Sequence, residues 1–276
     1  MSGTLYVVAT PIGNLEDLTP RAGRVLAEVS LIAAEDTRHT GRLLMHIGCK
    51  TRLLALHDHN EEKVVGSIIR MLLDGDSVAL VSDAGTPLVS DPGFRLVREA
   101  HLNNINVSPI PGASAVTAAL SCAGIATDRF CFEGFLPSKQ AARRALLASL
   151  AAEQRTLVFY ESVHRIADCI GDMVAAFGSD RQAFIGRELS KMHEQCVQES
   201  LGSLQRMVDE DTIVSKGEFV IVVSGCDKER TSPMEIDRLL KALSPHLAAK
   251  DAAKVVAEAT GLKRNDLYTR LLELKE

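Results

Sequence analysis

The chain has 276 residues, 46% of them hydrophobic and 24% charged, with a formal net charge of −5. That length is enough for two cores, and the charge excludes a uniformly basic nucleic-acid binder while leaving room for a local basic patch. No uninterrupted apolar run reaches the roughly 18 residues that would span a membrane, and the N-terminal apolar stretch is too short and too poor in basic residues for a signal peptide. The six cysteines, Cys49, Cys122, Cys131, Cys169, Cys196 and Cys226, never form C-x-x-C and mostly sit in apolar patterns, so they read as free core thiols in a reducing cytoplasm, without a structural zinc.

Thr4–Thr10 is a run of β-formers that reads as a buried parallel strand, broken by Pro11 and Gly13. Ala22, Val25, Leu26 and Val29 give Pro20–Ala33 helical spacing, and Leu31–Arg38 is a strand-like run ending in charge. A short helix over Thr40–Ile47 and a strand over Arg52–Leu56 follow. Asn60 is placed to cap a helix that runs to Leu73 and is stopped by Asp74, Gly75 and Asp76. Ser77–Ser82 is the next strand. The loop it feeds holds two Asp, two Gly and two Pro within Asp83–Gly93, and such a loop at a strand's carboxyl end is a ligand-binding position in an open α/β sheet. A helix over Phe94–His101, a strand over Val107–Ile110 and an alanine-rich helix over Ala113–Ala123 complete a mostly parallel unit.

The pattern changes at about 118–125. Arg129–Phe135 alternates as a strand with its aromatics on one face. Pro137–Leu150 is a helix, Thr156–Tyr160 a strand, Val163–Phe177 a helix, Gln182–Arg187 a strand, Leu201–Asp209 a helix and Lys216–Ser224 a last strand. A charged linker, Asp227–Pro233, leads to helices over Ile236–Leu247 and Lys250–Glu276. Ala257, Gly261 and Leu267 have the spacing of a helix-turn-helix, with Lys263, Arg264 and Arg270 on its second helix; a plain helical hairpin has the same spacing.

Eight blocks, Val8–Leu18, Ala33–Arg38, Val81–Gly93, Pro109–Ala115, Phe132–Lys139, Phe159–Arg165, Gly186–Lys191 and Lys216–Val223, follow one another in an order that resembles the tetrapyrrole-methylase superfamily of S-adenosylmethionine (SAM) enzymes. Within it the blocks are most similar to the branch that methylates a ribose 2′-hydroxyl of a cytidine in the decoding region of 16S rRNA. The resemblance implies an α/β fold of two domains, 1–120 and 121–226, with the cofactor cleft between them and a small helical segment over 227–276. It also implies SAM as cofactor, 16S rRNA of the small ribosomal subunit as partner, a homodimer and a cytoplasmic location. No G-x-G-x-x-G follows a strand, in keeping with a fold other than the Rossmann type. Tetrapyrrole methylation at carbon, or a non-catalytic RNA-binding module on the same fold, are the alternatives. Thr86, where tetrapyrrole methylases commonly carry Asp, counts against the first.

By family position the cofactor residues are Thr10, Pro11 and Ile12; Asp83, Ala84, Gly85, Thr86, Pro87 and Val89; Gly112, Ala113, Ser114 and Ala115, whose helix N-terminus suits a carboxylate; and Tyr160, Glu188, Leu189, Gly217, Glu218 and Phe219. Glu35, Asp36, Arg38 and Lys191 stand where a residue would orient or deprotonate the hydroxyl, although Glu35–Arg38 is equally read as an ion-pair network holding a loop. Phosphate contacts are expected of Arg38, Arg42, Lys139, Arg143, Arg144, Arg165, Arg187 and Lys191. Asp83 and Asp91 read as loop-forming residues that bond neighbouring N–H groups. His57, Asp58 and His59 with Glu61 and Glu62 read as a turn before a helix rather than a metal site. Gly112-Ala113-Ser114 lacks the second glycine of a nucleophile elbow, since Val116 stands there.

Overall fold

The structure, a computed structural model, describes residues 2–57, 60–214, 216–226 and 233–274, so Asp58, His59 and most of the charged linker lie outside it. The chain forms two compact units: Met1–Leu150 with Thr156–Ser224, and Ala151–Arg155 with Gly225–Glu276.

The first unit opens with β1 (Thr4–Val8), α1 (Pro20–Glu28), β2 (Leu31–Ala34), α2 (Thr37–His46), β3 (Leu53–Ala55), α3 (Glu61–Leu73), β4 (Val78–Val81), α4 (Phe94–Leu102) and β5 (Asn106–Ile110). The strands pair in the order β3-β2-β4-β1-β5, and every pairing is parallel. On one face, Ile68 and Leu72 of α3 and Leu96 of α4 pack on Leu5, Leu31 and Leu80. On the other, Ala22 and Leu26 of α1 and Leu44 of α2 pack on Val8, Ile32 and Ala79. Cover on both faces explains why β2 and β4 read as continuous apolar runs rather than alternating ones.

Local chemistry sets the helix starts. Pro20 stands in the first turn of α1, where the Thr19 side chain accepts the Ala22 N–H. Asp36 caps α2 by accepting the Arg38 N–H, which begins that helix at Thr37 rather than Thr40. Asn60 departs from expectation. It precedes α3 without a side-chain cap; its Oδ1 accepts the His57 N–H and its Nδ2 donates to Ala55, so it closes the turn instead.

A second sheet follows: α5 (Ala115–Cys122), β6 (Phe130–Phe135), α6 (Gln140–Leu150), β7 (Thr156–Ser162), α7 (Ile166–Phe177), β8 (Gln182–Arg187), β9 (Gln195–Ser200), α8 (Leu201–Asp209) and β10 (Glu218–Val223). Its order is β6-β7-β10-β8-β9, with only β6 and β7 parallel. Phe219, Ile221 and Val223 of β10 face α6–α8 in one core, and Val220 and Val222 face α5 in another. Phe159, Phe184 and Phe219 are fully buried, and each contributes up to about 3 kcal/mol by burial. Helix α5 follows a strand of the first sheet yet covers the second, so it carries the chain from one sheet to the other.

A bulge between Phe132 and Gly134 breaks the alternation of β6. It turns Phe135 onto the side of Phe132, and both rings meet Tyr160 edge-on, at centroid distances of 4.9 and 5.5 Å.

The second unit contains α9 (Pro233–Leu243), α10 (Ala249–Thr260) and α11 (Arg264–Glu273). The expected helix over Lys250–Glu276 is thus two, separated by Gly261 in the left-handed conformation (φ 74°) with its N–H on Ala257 O. Leu240, Ala252, Val256, Leu267 and Leu271 form the core of this unit. Arg270, one of the basic residues of the second helix, is paired with Asp237 at 2.9 Å.

The cysteines are unbridged; Cys169 is buried as expected, whereas Cys122 and Cys196 are exposed. No helix among the described residues is long and apolar enough to cross a membrane.

Candidate active site

Strand β1 lies between β4 and β5, and the chain leaves it toward β2 on the β4 side, so the carboxyl ends of β1 and β4 mark the point where an open α/β sheet presents its crevice. There the loops after β1 and β4 are tied together. Thr10 and Gly85 exchange two backbone hydrogen bonds of 2.9 and 3.1 Å, and the buried Thr10 hydroxyl donates to Ser82 O. The Thr86 hydroxyl donates to Ala113 O at 3.1 Å, which adds the turn after β5.

Backbone conformation is unusual on both sides of the crevice. Leu88 and Ser90 in the loop after β4, and Glu188 and Ser190 after β8, all have positive φ. Such conformations cost about 1–3 kcal/mol each and persist where the surroundings enforce them. The two loops are also joined to the turn after β1. Ser190 Oγ donates to Asp17, and the stem of Lys191 lies so close over Gly13 that a Cβ there would overlap it.

Two cavities open at this place. The first, about 310 Å³, is lined by Gly85, Thr86, Val89 and Asp91 from the first sheet's loops, by Ser114 and Ala115 at the start of α5, and by Phe135, Tyr160, Leu189, Phe219 and neighbours from the second sheet. The second, about 280 Å³, is lined by Thr10, Pro11, His39, Thr40, Arg42, Asp83 and neighbours. Ile12, Ala84, Lys191 and Glu218 line both. Thr40 Oγ1 is buried on the second cavity's wall without a hydrogen-bond partner.

Lys191 is held between two carboxylates, with Nζ 2.9 Å from Glu188 Oε1 and 2.9 Å from Glu218 Oε2. Burial opposes its charge, but these hydrogen bonds outweigh it and raise the pKa, so Lys191 is a cation and not a base at neutral pH. Burial pushes the Tyr160 hydroxyl up to about 12, and the negative Asp91 adds to the shift; the Val116 N–H bonds that hydroxyl and ties the ring to the start of α5. The Asp91 carboxyl is raised to about 6, first by burial and then by the negative charges of Glu35 and Asp83, against a hydrogen bond from Ser82.

Most of the expected cofactor residues therefore meet around the two cavities. Five of them, Pro87, Gly112, Ala113, Glu188 and Gly217, line neither cavity. Asp83 lines only the second cavity and accepts the Asp36 N–H at 3.0 Å, so it bonds across to the next strand's loop rather than to its neighbours. Pro87 is buried, the exposed Gly112 lies against Ala9, and Ala113 O accepts the Thr86 hydroxyl. Glu188 supports Lys191 and accepts the Glu218 N–H, and Gly217 leaves room for that carboxyl, since a Cβ would overlap it. The expected opening at the start of α5 is in part filled, as Tyr160 takes one of its N–H groups.

Asp36 and Arg38 pair with each other at 2.7 Å at the exposed start of α2 and line neither cavity. The arginine's hydrogen bonds hold the Asp36 carboxyl well below the usual carboxylate range. Several expected phosphate contacts are internal struts. Arg143 is 3% exposed and, with Arg144, grips Asp172; Arg165 donates to Leu136 O and Pro137 O and pairs with Glu161; the buried Arg187 donates to Lys216 O and His193 O. Arg42 keeps a place on a cavity wall. Sequence reading passed over Asp91 as a cavity residue; its position two residues beyond Val89, in a loop already assigned to the ligand, was the available signal.

A crevice at parallel strand ends, roofed by a second sheet and lined by backbone turns and aromatic rings, defines a two-sheet α/β enzyme for a nucleotide-sized ligand. The chain matches the family described as Tetrapyrrole (Corrin/Porphyrin) Methylases over residues 4–205, and the RsmI C-terminal HTH domain over 230–275. It is 53% identical over 267 residues to a ribosomal RNA small subunit methyltransferase I of Xylella fastidiosa, covering 96% of this chain and 98% of that one. It is 50% identical over 275 residues to the protein of the same name in Pseudomonas aeruginosa, covering 99% and 98%. The fold is shared with uroporphyrin-III C-methyltransferase from Thermus thermophilus, solved with S-adenosylhomocysteine (TM-score 0.55, 19% identity, 80% of this chain and 97% of that one). The chain belongs to the tetrapyrrole methylase family, in the branch of the small-subunit rRNA methyltransferase I proteins.

Proposed function

We propose that this protein transfers a methyl group from SAM to the ribose 2′-hydroxyl of a cytidine in the decoding region of 16S rRNA. The observation that carries the reading is the pair of abutting cavities, whose shared wall of Ile12, Ala84, Lys191 and Glu218 is where a cofactor on one side and a nucleotide on the other would meet. Relatives about half identical over nearly their whole length, all named as rRNA methyltransferases, support the substrate class.

The first cavity fits SAM. Its volume of about 310 Å³ lies at the lower end of small-molecule sites, and it combines aromatic walls with a helix start and a carboxylate. When bound, SAM supplies an electrophilic methyl group on a positively charged sulfur. The chain's part is to hold the hydroxyl in line with that methyl and to take its proton. Lys191, cationic and braced by Glu188, donates a hydrogen bond that orients the 2′-oxygen. Glu218, on both cavity walls, accepts the proton. The target nucleotide enters the second cavity, where Arg42 meets a phosphate and the unpartnered Thr40 hydroxyl gains a bonding partner. We include in this reading a homodimer and a cytoplasmic location.

Carbon methylation of a tetrapyrrole is not favoured, since the relatives act on rRNA by name and Thr86 stands where that branch carries Asp. The test is incubation of the purified protein with methyl-labelled SAM and small ribosomal subunits lacking the modification. Label on a cytidine 2′-oxygen is expected; label on a tetrapyrrole instead of RNA overturns the reading.

A further inference from the structure

The first cavity contains a charge that the transfer reaction does not use. Asp91 lies in the strained loop after β4, half-buried, on the cavity wall with Tyr160 and Phe135. It lines only this cavity, whereas the residues that flank the transfer position line both. Its near charges are Glu35 after β2 and Asp83 after β4, both negative, and the polar groups that meet it are the Ser82 hydroxyl and Tyr160 of β7. Glu161, Glu218 and Lys191 also line the cavity, and Lys191 is occupied by Glu188 and Glu218. Asp91 thus faces a cleft walled in part by the Phe135 and Tyr160 rings, a setting that suits a ligand cation with apolar substituents.

Resting on the reading that this cavity holds SAM, we propose that Asp91, with the rings of Tyr160 and Phe135, reads the positive charge of the cofactor's sulfonium and so distinguishes SAM from its neutral thioether product, S-adenosylhomocysteine. Both molecules share adenine, ribose and the amino-acid end, and they differ at sulfur by one methyl and one charge. A carboxylate at the sulfur favours the charged form and loses that preference once the methyl has left, which promotes exchange of product for fresh cofactor. Burial, and then the negative charges of Glu35 and Asp83, raise the Asp91 carboxyl to about 6. A bound sulfonium favours the ionised form, so SAM affinity falls as the pH drops through that value while affinity for the product does not.

Direct binding of SAM and of S-adenosylhomocysteine, measured by calorimetry on the full chain and on Asp91→Asn, tests this. At about pH 7.5 the variant is expected to bind SAM about tenfold more weakly than wild type and the product equally well, a loss comparable to one pKa unit. In the wild type the ratio of SAM to product affinity is expected to fall about fivefold between about pH 7.5 and about pH 5, and in the variant to stay flat. Circular dichroism checks that the variant is folded, and the wild-type pH series decides the matter if it is not. Equal weakening of both ligands would place Asp91 at the shared ammonium and overturn the inference, as would unchanged binding of both or a flat wild-type ratio. Failure of the wild type to bind either ligand would instead overturn the cofactor reading, and this inference with it.

Discussion

Two charge clusters in this protein are built from similar parts and sit in opposite surroundings. In the first, Asp172 of α7 receives Arg143 and Arg144 of α6 at 2.7 and 2.6 Å, with Asp172 and Arg143 only 2% and 3% exposed. In the second, Lys191 bridges Glu188 and Glu218, both at 2.9 Å, and Glu218 is 77% exposed on the walls of two cavities. The first cluster has no solvent face at its centre and touches neither cavity, so Asp172 and Arg143 hold one helix to another, although Arg144 is 60% exposed. In the second, one partner remains open to a ligand, so binding can redistribute the bonds. Burial of the central ion, rather than the identity of the residues, separates a strut from a site.

The largest effect should come from breaking the strut. Asp172→Ala leaves Arg143 buried without its counter-charge, and a loss of about 3–5 kcal/mol in unfolding free energy is expected from urea titration. SAM affinity of the remaining folded protein should be unchanged; a binding defect without loss of stability would refute the division between the clusters. The strut also has a pH signature. Despite burial, the two arginines hold the Asp172 carboxyl below its ordinary value. A depressed carboxylate stabilises the fold above its unfolded pKa, so the contribution is full at neutral pH and is lost as the pH falls below about 4.

The next effect is on chemistry. Lys191→Met keeps the stem that covers Gly13 but removes the cation, and a fall in methyl transfer of about a hundredfold is expected, with the melting temperature and SAM affinity little changed. Glu218→Gln should cost less, about tenfold, because solvent can replace an exposed proton acceptor. A larger loss for Glu218→Gln than for Lys191→Met would reverse the two roles.

The same contrast explains how far the sequence was readable. Apolar runs such as Val78–Val81 and Leu31–Ala34 announce strands covered on both faces, and Gly and Pro mark the loops that end them. Strand β9 was missed because Gln195–Ser200 is a polar edge strand, of which Val197 packs into the core. The bulge that aligns Phe135 with Phe132 is marked in the sequence only by Gly134, which takes a φ of 66°, and its register depends on pairing with β7. Basic residues were the least legible. Arg143 and Arg187 look like phosphate ligands in a linear string, and only the fold brings Asp172 to the one and the carbonyls of His193 and Lys216 to the other. Asp91 was readable as a loop residue, but its raised pKa was not, because it depends first on burial in the fold and then on Glu35 and Asp83, which come from the ends of two strands.

The smallest effect should come from Arg38→Ala. Its guanidinium is 87% exposed and engages Asp36, which already caps α2 through the Arg38 backbone N–H. Removing the side chain leaves that cap intact, and an exposed ion pair contributes little against solvent and salt. The melting temperature and SAM affinity should therefore match those of wild type within error. Methyl transfer at saturating substrate should also be unchanged, and any weakening should appear only in RNA binding at low salt, where a lost phosphate contact is felt most. A hundredfold loss at saturating substrate, equal to that of Lys191→Met, would instead put Arg38 at the reacting hydroxyl. It would require α2 to move toward the second cavity, whose wall already includes His39 and Arg42 from the same helix.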